Sequence, residues 1–265
     1  MSSESKQEQW FSQLQTLFTI GEALRKEFRA KAKEDLRLII MLGYLHKVQN
    51  TLGAILLLAK FDLWDQVLIL VRTIFELRVT FDFFFDMYKE DPENAVRRVC
   101  DAMLLQHLKQ LESTDFFSRV PIELRRASLS RLSTVEQDRA TWERLKQDIE
   151  SRYSAEEFRA IRKYGFTMMS VEARCKRLGH EEVYNIVYRA FSQNVHAIDF
   201  KDLVGGELVD ESWMNEYTQS RNVAALDIAD ASARMVIGFL DAALGGLFDR
   251  ELSVLGAMGE RLRNT

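Results

Sequence analysis

Hydrophobic residues recur along most of the chain at intervals of three and four, the spacing that aligns one face of an α-helix. Trp10, Leu14, Leu17, Phe18 and Leu24 mark a first helix beginning near Gln7, with a strongly charged end from Arg25 to Asp35. A second is predicted from about Glu34 to Phe61. It turns Leu38, Leu42, Leu45, Leu52, Leu56 and Ala59 inward, and Gly43 and Gly53 leave room for a neighbouring helix to approach. The third, from about Leu63 to Tyr88, is apolar around most of its circumference and so belongs at the centre of a bundle.

Asp91-Pro92-Glu93 opens a fourth helix toward Leu111, with Asp as N-cap and Pro at the first helical position. Pro121 starts a shorter one. From Thr134 to Glu150 the residues become charged, which predicts a solvent-exposed helical arm at about 130–165. Within it Ser154 and Glu157 have the spacing of a capping box, and further on Ser170 caps a helix that reaches Leu178 and stops at Gly179. A helix from about Glu181 to Ile198 follows, then an irregular stretch with Gly205-Gly206 and Trp213. An alanine-rich helix from about Arg221 to Phe248 and a short tail complete the chain. No strand-like alternation or internal repeat occurs. The expectation is an all-α, single-domain helical bundle of about 8–10 helices over residues 1–265.

Composition agrees: 47% of the 265 residues are hydrophobic, enough for a substantial core, and only two are Pro. The long apolar run of the third helix carries Arg72, Glu76, Arg78 and Asp82, and Leu52 to Ala59 is far shorter than the ~20 residues a bilayer requires, so no membrane association is expected. The N-terminus is polar and lacks the apolar segment of a signal peptide. Cys100 and Cys175 stand apart without metal-ligand spacing, which fits a reducing cytoplasmic compartment, and no metal or cofactor motif is found. With 36 basic and 40 acidic residues the chain presents no global basic field.

Two polar constellations stand out. In Val71-Arg72-Thr73-Ile74-Phe75-Glu76 an Arg and a Glu share one face of the apolar third helix. They either form an internal salt bridge that fixes the helix or line a pocket, because unpaired buried charge is costly. His46 and Asn50 have the same i, i+4 relation on the preceding helix and could face the same interior; His107 and His180 have no such context. The second constellation is Tyr184 to His196. At 100° per residue, Asn185, Arg189, Ser192, His196 and Asp199 fall in a stripe about 80° wide, opposite Val183, Ile186, Val187, Ala190, Phe191 and Ile198. A guanidinium can hold a phosphate or carboxylate by two parallel hydrogen bonds, and an imidazole can move a proton near neutral pH. The same stripe is equally a helix's polar face.

These residues carry two resemblances. The order Leu70-Val71-Arg72-Thr73-Ile74-Phe75-Glu76-Leu77, then Tyr188-Arg189-Ala190-Phe191-Ser192 and Val195-His196, resembles an uncharacterised bacterial family of all-helical proteins, a domain of unknown function, over about His46 to Asp199. That implies a helical fold and no particular activity. Arg189, six residues and His196 are also similar to the Arg-x(4-6)-His pattern of HEPN domains, helical proteins that often dimerise and cut RNA without metal. This second resemblance implies a HEPN-like core, Arg189 steadying the scissile phosphate and His196 assisting attack by the 2′-hydroxyl. It further implies a homodimer acting on RNA, as a toxin or antiphage-defence effector with a partner protein encoded nearby. The alternative is a non-catalytic ligand-binding or scaffold protein whose binding residues are Arg72, Glu76, Tyr188 and Ser192.

Overall fold

A computed structural model describes residues 3–32, 35–117, 143–190 and 211–264. Among these, every regular element is helical and no strand occurs. The protein is thus all-α, as its periodicity predicts. The helices are α1 (Ser3–Lys31), α2 (Leu36–Lys60), α3 (Trp64–Glu90), α4 (Pro92–Phe117), α5 (143–151), α6 (Ala155–Tyr164), α7 (Val171–Arg177), α8 (Glu181–Asn185), α9 (Glu211–Ala243) and α10 (Asp249–Asn264). A 3₁₀ turn, Gly165–Thr167, follows α6, and a π-helical turn, Ile186–Ala190, continues α8.

The chain divides into two compact units, one formed by residues 1–83 with 174–265 and the other by residues 84–173. In the first, α1 packs on α2 and α9, and α10 closes on α1 and α9. Trp10, Leu14, Leu17, Leu24 and Phe28 of α1 are buried, as are Leu45, Val48, Leu52 and Ile55 of α2 and Ala225, Ala229, Ala233 and Val236 of α9. The small alanines let the helices come close. Gly53 serves the same end, since a Cβ there would lie 3.1 Å from the Phe18 ring, whereas Gly43 has nothing within 4 Å. The first part of α3 joins this core through Phe81, whose ring sits 5.2 Å from Tyr44 edge to face and 6.2 Å from Phe239.

In the second unit α4, α5 and α6 share a core of Ala102, Leu105, Leu108, Ile149, Phe158 and Ile161. Ile149, Phe158 and Ile161 belong to the stretch read as a charged arm, so its described portion alternates an apolar inner face with a charged outer one. Buried Asp101 on α4 accepts hydrogen bonds from Arg152 Nη1 and Tyr153 OH, each at 2.9 Å. The capping box at Ser154 and Glu157 forms as its spacing predicts, and Asp91 accepts from the Asn94 backbone N–H at the head of α4. The short helix expected at Pro121 lies outside the described residues.

The chain's last part departs from expectation. The alanine-rich helix begins earlier than Arg221 and stops at Ala243, and the expected short tail is a 16-residue helix, α10. Gly245 (φ 98°) and Gly246 (φ 73°) occupy backbone regions that other residues rarely enter, and they end α9. Buried Asp241 then accepts the Phe248 N–H at 3.0 and 3.1 Å through its two oxygens, fixing the turn into α10. α10 lies close on its neighbours: a Cβ at Gly256 would lie 2.9 Å from Arg234 Nη1, and one at Gly259 3.3 Å from the Trp10 ring. Beneath it, fully buried Asp230 pairs with Arg234 Nη2 at 3.0 Å. Burial pushes the Asp230 carboxyl up to about 6, against the pull of Arg234.

Two predictions follow from these packings. Leu52→Ala, at a fully buried site, lowers stability by about 2–5 kcal/mol in urea unfolding, while Leu57→Ala, on the same helix but 58% exposed, changes it by less than about 0.5 kcal/mol. For Asp230, the folded carboxyl holds its proton up to about pH 6 and an unfolded one releases it near 3.8. The folded state therefore binds more protons between those values, and stability from this group rises as pH falls through 6. Unfolding midpoints at pH 7.5 and 4.5 should show wild type gaining on Asp230→Asn at the lower pH; parallel profiles would refute the assignment.

Candidate functional site

Helix α3 exposes its apolar surface to the core on most sides, and its Arg72, Glu76 and Thr80 follow one another at intervals of four, in one row along the helix. The segment from α7 through the π-helical turn answers this row. Glu76 Oε1 accepts from Arg72 Nε at 3.0 Å and also from the Tyr188 hydroxyl. The Arg72 guanidinium lies 4.1 Å from the centre of the Tyr188 ring, and Tyr184 stacks on Tyr188 with ring centres 4.4 Å apart. One turn along, the Arg174 guanidinium donates to Thr80 Oγ1, whose own hydrogen goes to the Glu76 carbonyl oxygen at 2.6 Å. Farther on, His180 Nε2 lies 3.3 Å and Arg78 Nε 3.7 Å from Oδ2 of buried Asp82.

The electrostatics follow from this geometry. Burial pushes the Tyr188 hydroxyl up, and its hydrogen bond to Glu76 adds to the effect, so it is a firm proton donor at neutral pH. Burial alone would lower Arg72, but Glu76 and Tyr188 outweigh it and Arg72 is raised. Arg174, only 8% exposed, is lowered by burial against the attraction of Cys175, Glu76 and Tyr188. Cys175 beside it is pushed up to about 11 by burial, which makes it a packed thiol rather than a nucleophile. The Arg72 and Glu76 side chains keep 26% and 35% of their exposure, so the row reaches from the interior to the surface.

Arg72, Glu76 and Tyr188, singled out from sequence, are thus in direct mutual contact. Arg189 follows Tyr188 inside the π-helical turn; its side chain lies outside the described residues, as do Ser192 and His196. The expected helix from Glu181 to Ile198 is described to Ala190, and it changes character after Asn185. A π turn hydrogen-bonds at i to i+5 and advances fewer degrees per residue than an α-helix, so the 100° arithmetic that aligned Asn185 with Arg189 does not hold across it. Such turns occur frequently at functional sites. His46 and Asn50 do not join the interior: they hydrogen-bond each other at 3.1 Å on an exposed face of α2.

Sequence reasoning missed Thr80, Arg174, Asp82 and His180. Thr80 continues the Arg72–Glu76 interval, and Asp82 stands four after Arg78, so both were recoverable by extending the same periodicity. Arg174 and His180 lie on short elements too brief for a pattern. Among the described residues no three His, Cys, Asp or Glu side chains converge as metal ligands, and no helix is long and apolar enough to cross a membrane.

A half-buried polar row on one helix, answered by tyrosine and arginine from a following segment, defines an all-helical protein with a polar seam through its first unit. The chain belongs to the family of unknown function DUF5677, which matches residues 38–207 and so takes in α3, α7, α8 and the whole of that seam. No curated protein and no solved structure matches it significantly.

The hydroxyl's share of the seam is separable from its ring. Tyr188→Phe keeps the ring under Arg72 and removes the donor to Glu76, and should cost about 1 kcal/mol. Tyr188→Ala also removes the cation–ring and stacking contacts and should cost more, by about 1–3 kcal/mol. Denaturant midpoints of the two variants check the order.

Proposed function

We propose that the protein is a metal-independent RNA endonuclease of HEPN-like type, with Arg189 and His196 as its catalytic residues. The supporting observation is the fixing of Tyr188, the residue before Arg189, by Glu76 and Arg72 in a π-helical turn. Catalytic groups need a rigid second layer, and a tyrosine anchored by a carboxylate and a guanidinium supplies one at the root of the Arg189 side chain. In the reaction Arg189 pairs with the non-bridging oxygens of the phosphate. His196 takes the proton of the adjacent 2′-hydroxyl, whose oxygen attacks phosphorus, and the bond to the 5′-oxygen breaks as that oxygen gains a proton. The products are a 2′,3′-cyclic phosphate and a free 5′-hydroxyl.

This reading includes a cytoplasmic homodimer in which the Arg189 and His196 side chains meet their copies, acting as a toxin or antiphage-defence effector beside a partner protein encoded nearby. A second reading has its own support. The Arg72, Glu76 and Tyr188 polar groups satisfy one another, as a scaffold would require; in the non-catalytic ligand-binding form of this reading these three and Ser192 are the binding residues.

Purified protein incubated with total RNA in EDTA decides between them. Cleavage by wild type, reduced by at least about a hundredfold in both Arg189→Ala and His196→Ala at unchanged helical circular dichroism, is expected. Intact RNA in every tube, or cleavage that survives His196→Ala, would overturn the nuclease reading; the first of these outcomes leaves the ligand-binding seam.

A further inference from the structure

Away from the seam, α1 and the first turns of α10 form a groove of about 330 Å³ lined by Ser12, Gln13, Thr16, Val254, Leu255 and Met258, with Arg250 and Glu251 at its rim. Its walls are largely apolar, and Val254 and Met258 are 53% and 44% exposed. At its floor lies Gln13, only 1% exposed, and neither the oxygen nor the nitrogen of its carboxamide has a hydrogen-bond partner. An unsatisfied buried amide costs stability by about 1–3 kcal/mol per group. Turning its outer torsions to bring the amide edge into the groove sacrifices no hydrogen bond, because it makes none.

We propose that this groove binds a nucleotide: one nucleobase with its ribose and phosphate. A carboxamide presents a donor and an acceptor side by side, the complement of a nucleobase edge; paired with adenine it bonds N6 and an adjacent ring nitrogen. Val254, Leu255 and Met258 supply apolar contact for the faces of the base, and the Met258 thioether suits a ring edge. Arg250 is exposed and has no carboxylate partner among the described residues, so its guanidinium is free to pair with phosphate. Glu251 beside it is placed to accept from ribose hydroxyls. The volume falls at the small end of ligand pockets, which matches a mononucleotide. This inference is independent of the RNA-cleavage reading, since binding is measured without turnover.

Isothermal titration of the full-length protein with AMP, adenosine, GMP, UMP and CMP, and with a short oligoadenylate, tests it. AMP should bind one per chain, with adenosine weaker by roughly tenfold for loss of the phosphate contact. Arg250→Ala should bring AMP down to the affinity of adenosine and leave adenosine unchanged. Gln13→Leu should lose binding while raising the unfolding midpoint, the signature of a polar group kept at a cost to stability. Val254→Arg, at an exposed position that cannot disturb the core, should block the groove and provides a check should Gln13→Leu misfold. Oligoadenylate binding as tightly as AMP identifies a residue of an RNA strand as the occupant, and binding of AMP alone a free nucleotide. No saturable heat with any of the four nucleotides, or undiminished AMP binding by both Gln13→Leu and Val254→Arg, would refute the proposal.

Discussion

Arg72, Glu76 and Thr80 stand in a row on a helix that otherwise faces the core, and charge so placed must be met by partners from whatever covers it. The segment from Arg174 to Tyr188 meets it, with Tyr188 on Glu76 and Arg72 and Arg174 on Thr80. Much of the first unit's local structure follows from this requirement. Neither α7 nor α8, seven and five residues long, could persist alone, because helices of that length do not recover the cost of nucleation. α7 is held by the bond of Arg174 to Thr80 of α3, and α8 is flanked by the contacts of His180 with Asp82 and of Tyr188 with Glu76 on the same helix.

The helical class and most helix bounds were legible because they depend on periodicity alone. Leu45 and Leu52 face inward as their spacing predicts, and Ser154, Glu157 and Asp91 cap where their types and positions indicate. The pairing of Arg72 with Glu76 was equally legible, being an i, i+4 relation on one helix. What joins distant parts of the chain was not: no local pattern connects Thr80 with Arg174, or Asp82 with His180, across more than ninety residues. The early end of α9 hinged on two glycines read as part of a continuing helix, and α10 was overlooked because its short alternation of apolar and charged residues follows so closely on that longer pattern. The Tyr188 contact was foreseeable only as two separate motifs, since nothing in one sequence says that they touch.

Polar groups in the first unit fall into two kinds. Those of the seam, and Asp227 with Arg263 on the outer side of α9 and α10, are mutually bonded and fix how elements meet. Asp230, Gln13 and Gln49 lie deeper and are poorly compensated; Gln49 has no hydrogen-bond partner on either amide atom although it rests where Gly21 makes room for it. An apolar residue at these positions would pack at lower cost. Gln13 and Asp230 mark the α1–α9–α10 layer as a place where stability has been subordinated to something else, and that layer lies outside residues 38–207, the part shared with the family.

The π-helical turn at Ile186–Ala190 has a consequence for how this chain can be compared with others. Such a turn holds one residue more than the α-helical turn it replaces, so its effect is that of a single insertion. A chain lacking that one residue would run straight through and present everything beyond Ala190 rotated by about 100° about the helix axis. Two sequences could then carry the same tyrosine, arginine and histidine in the same order and yet aim them at different faces, and an alignment gap of one would be the only trace of the difference.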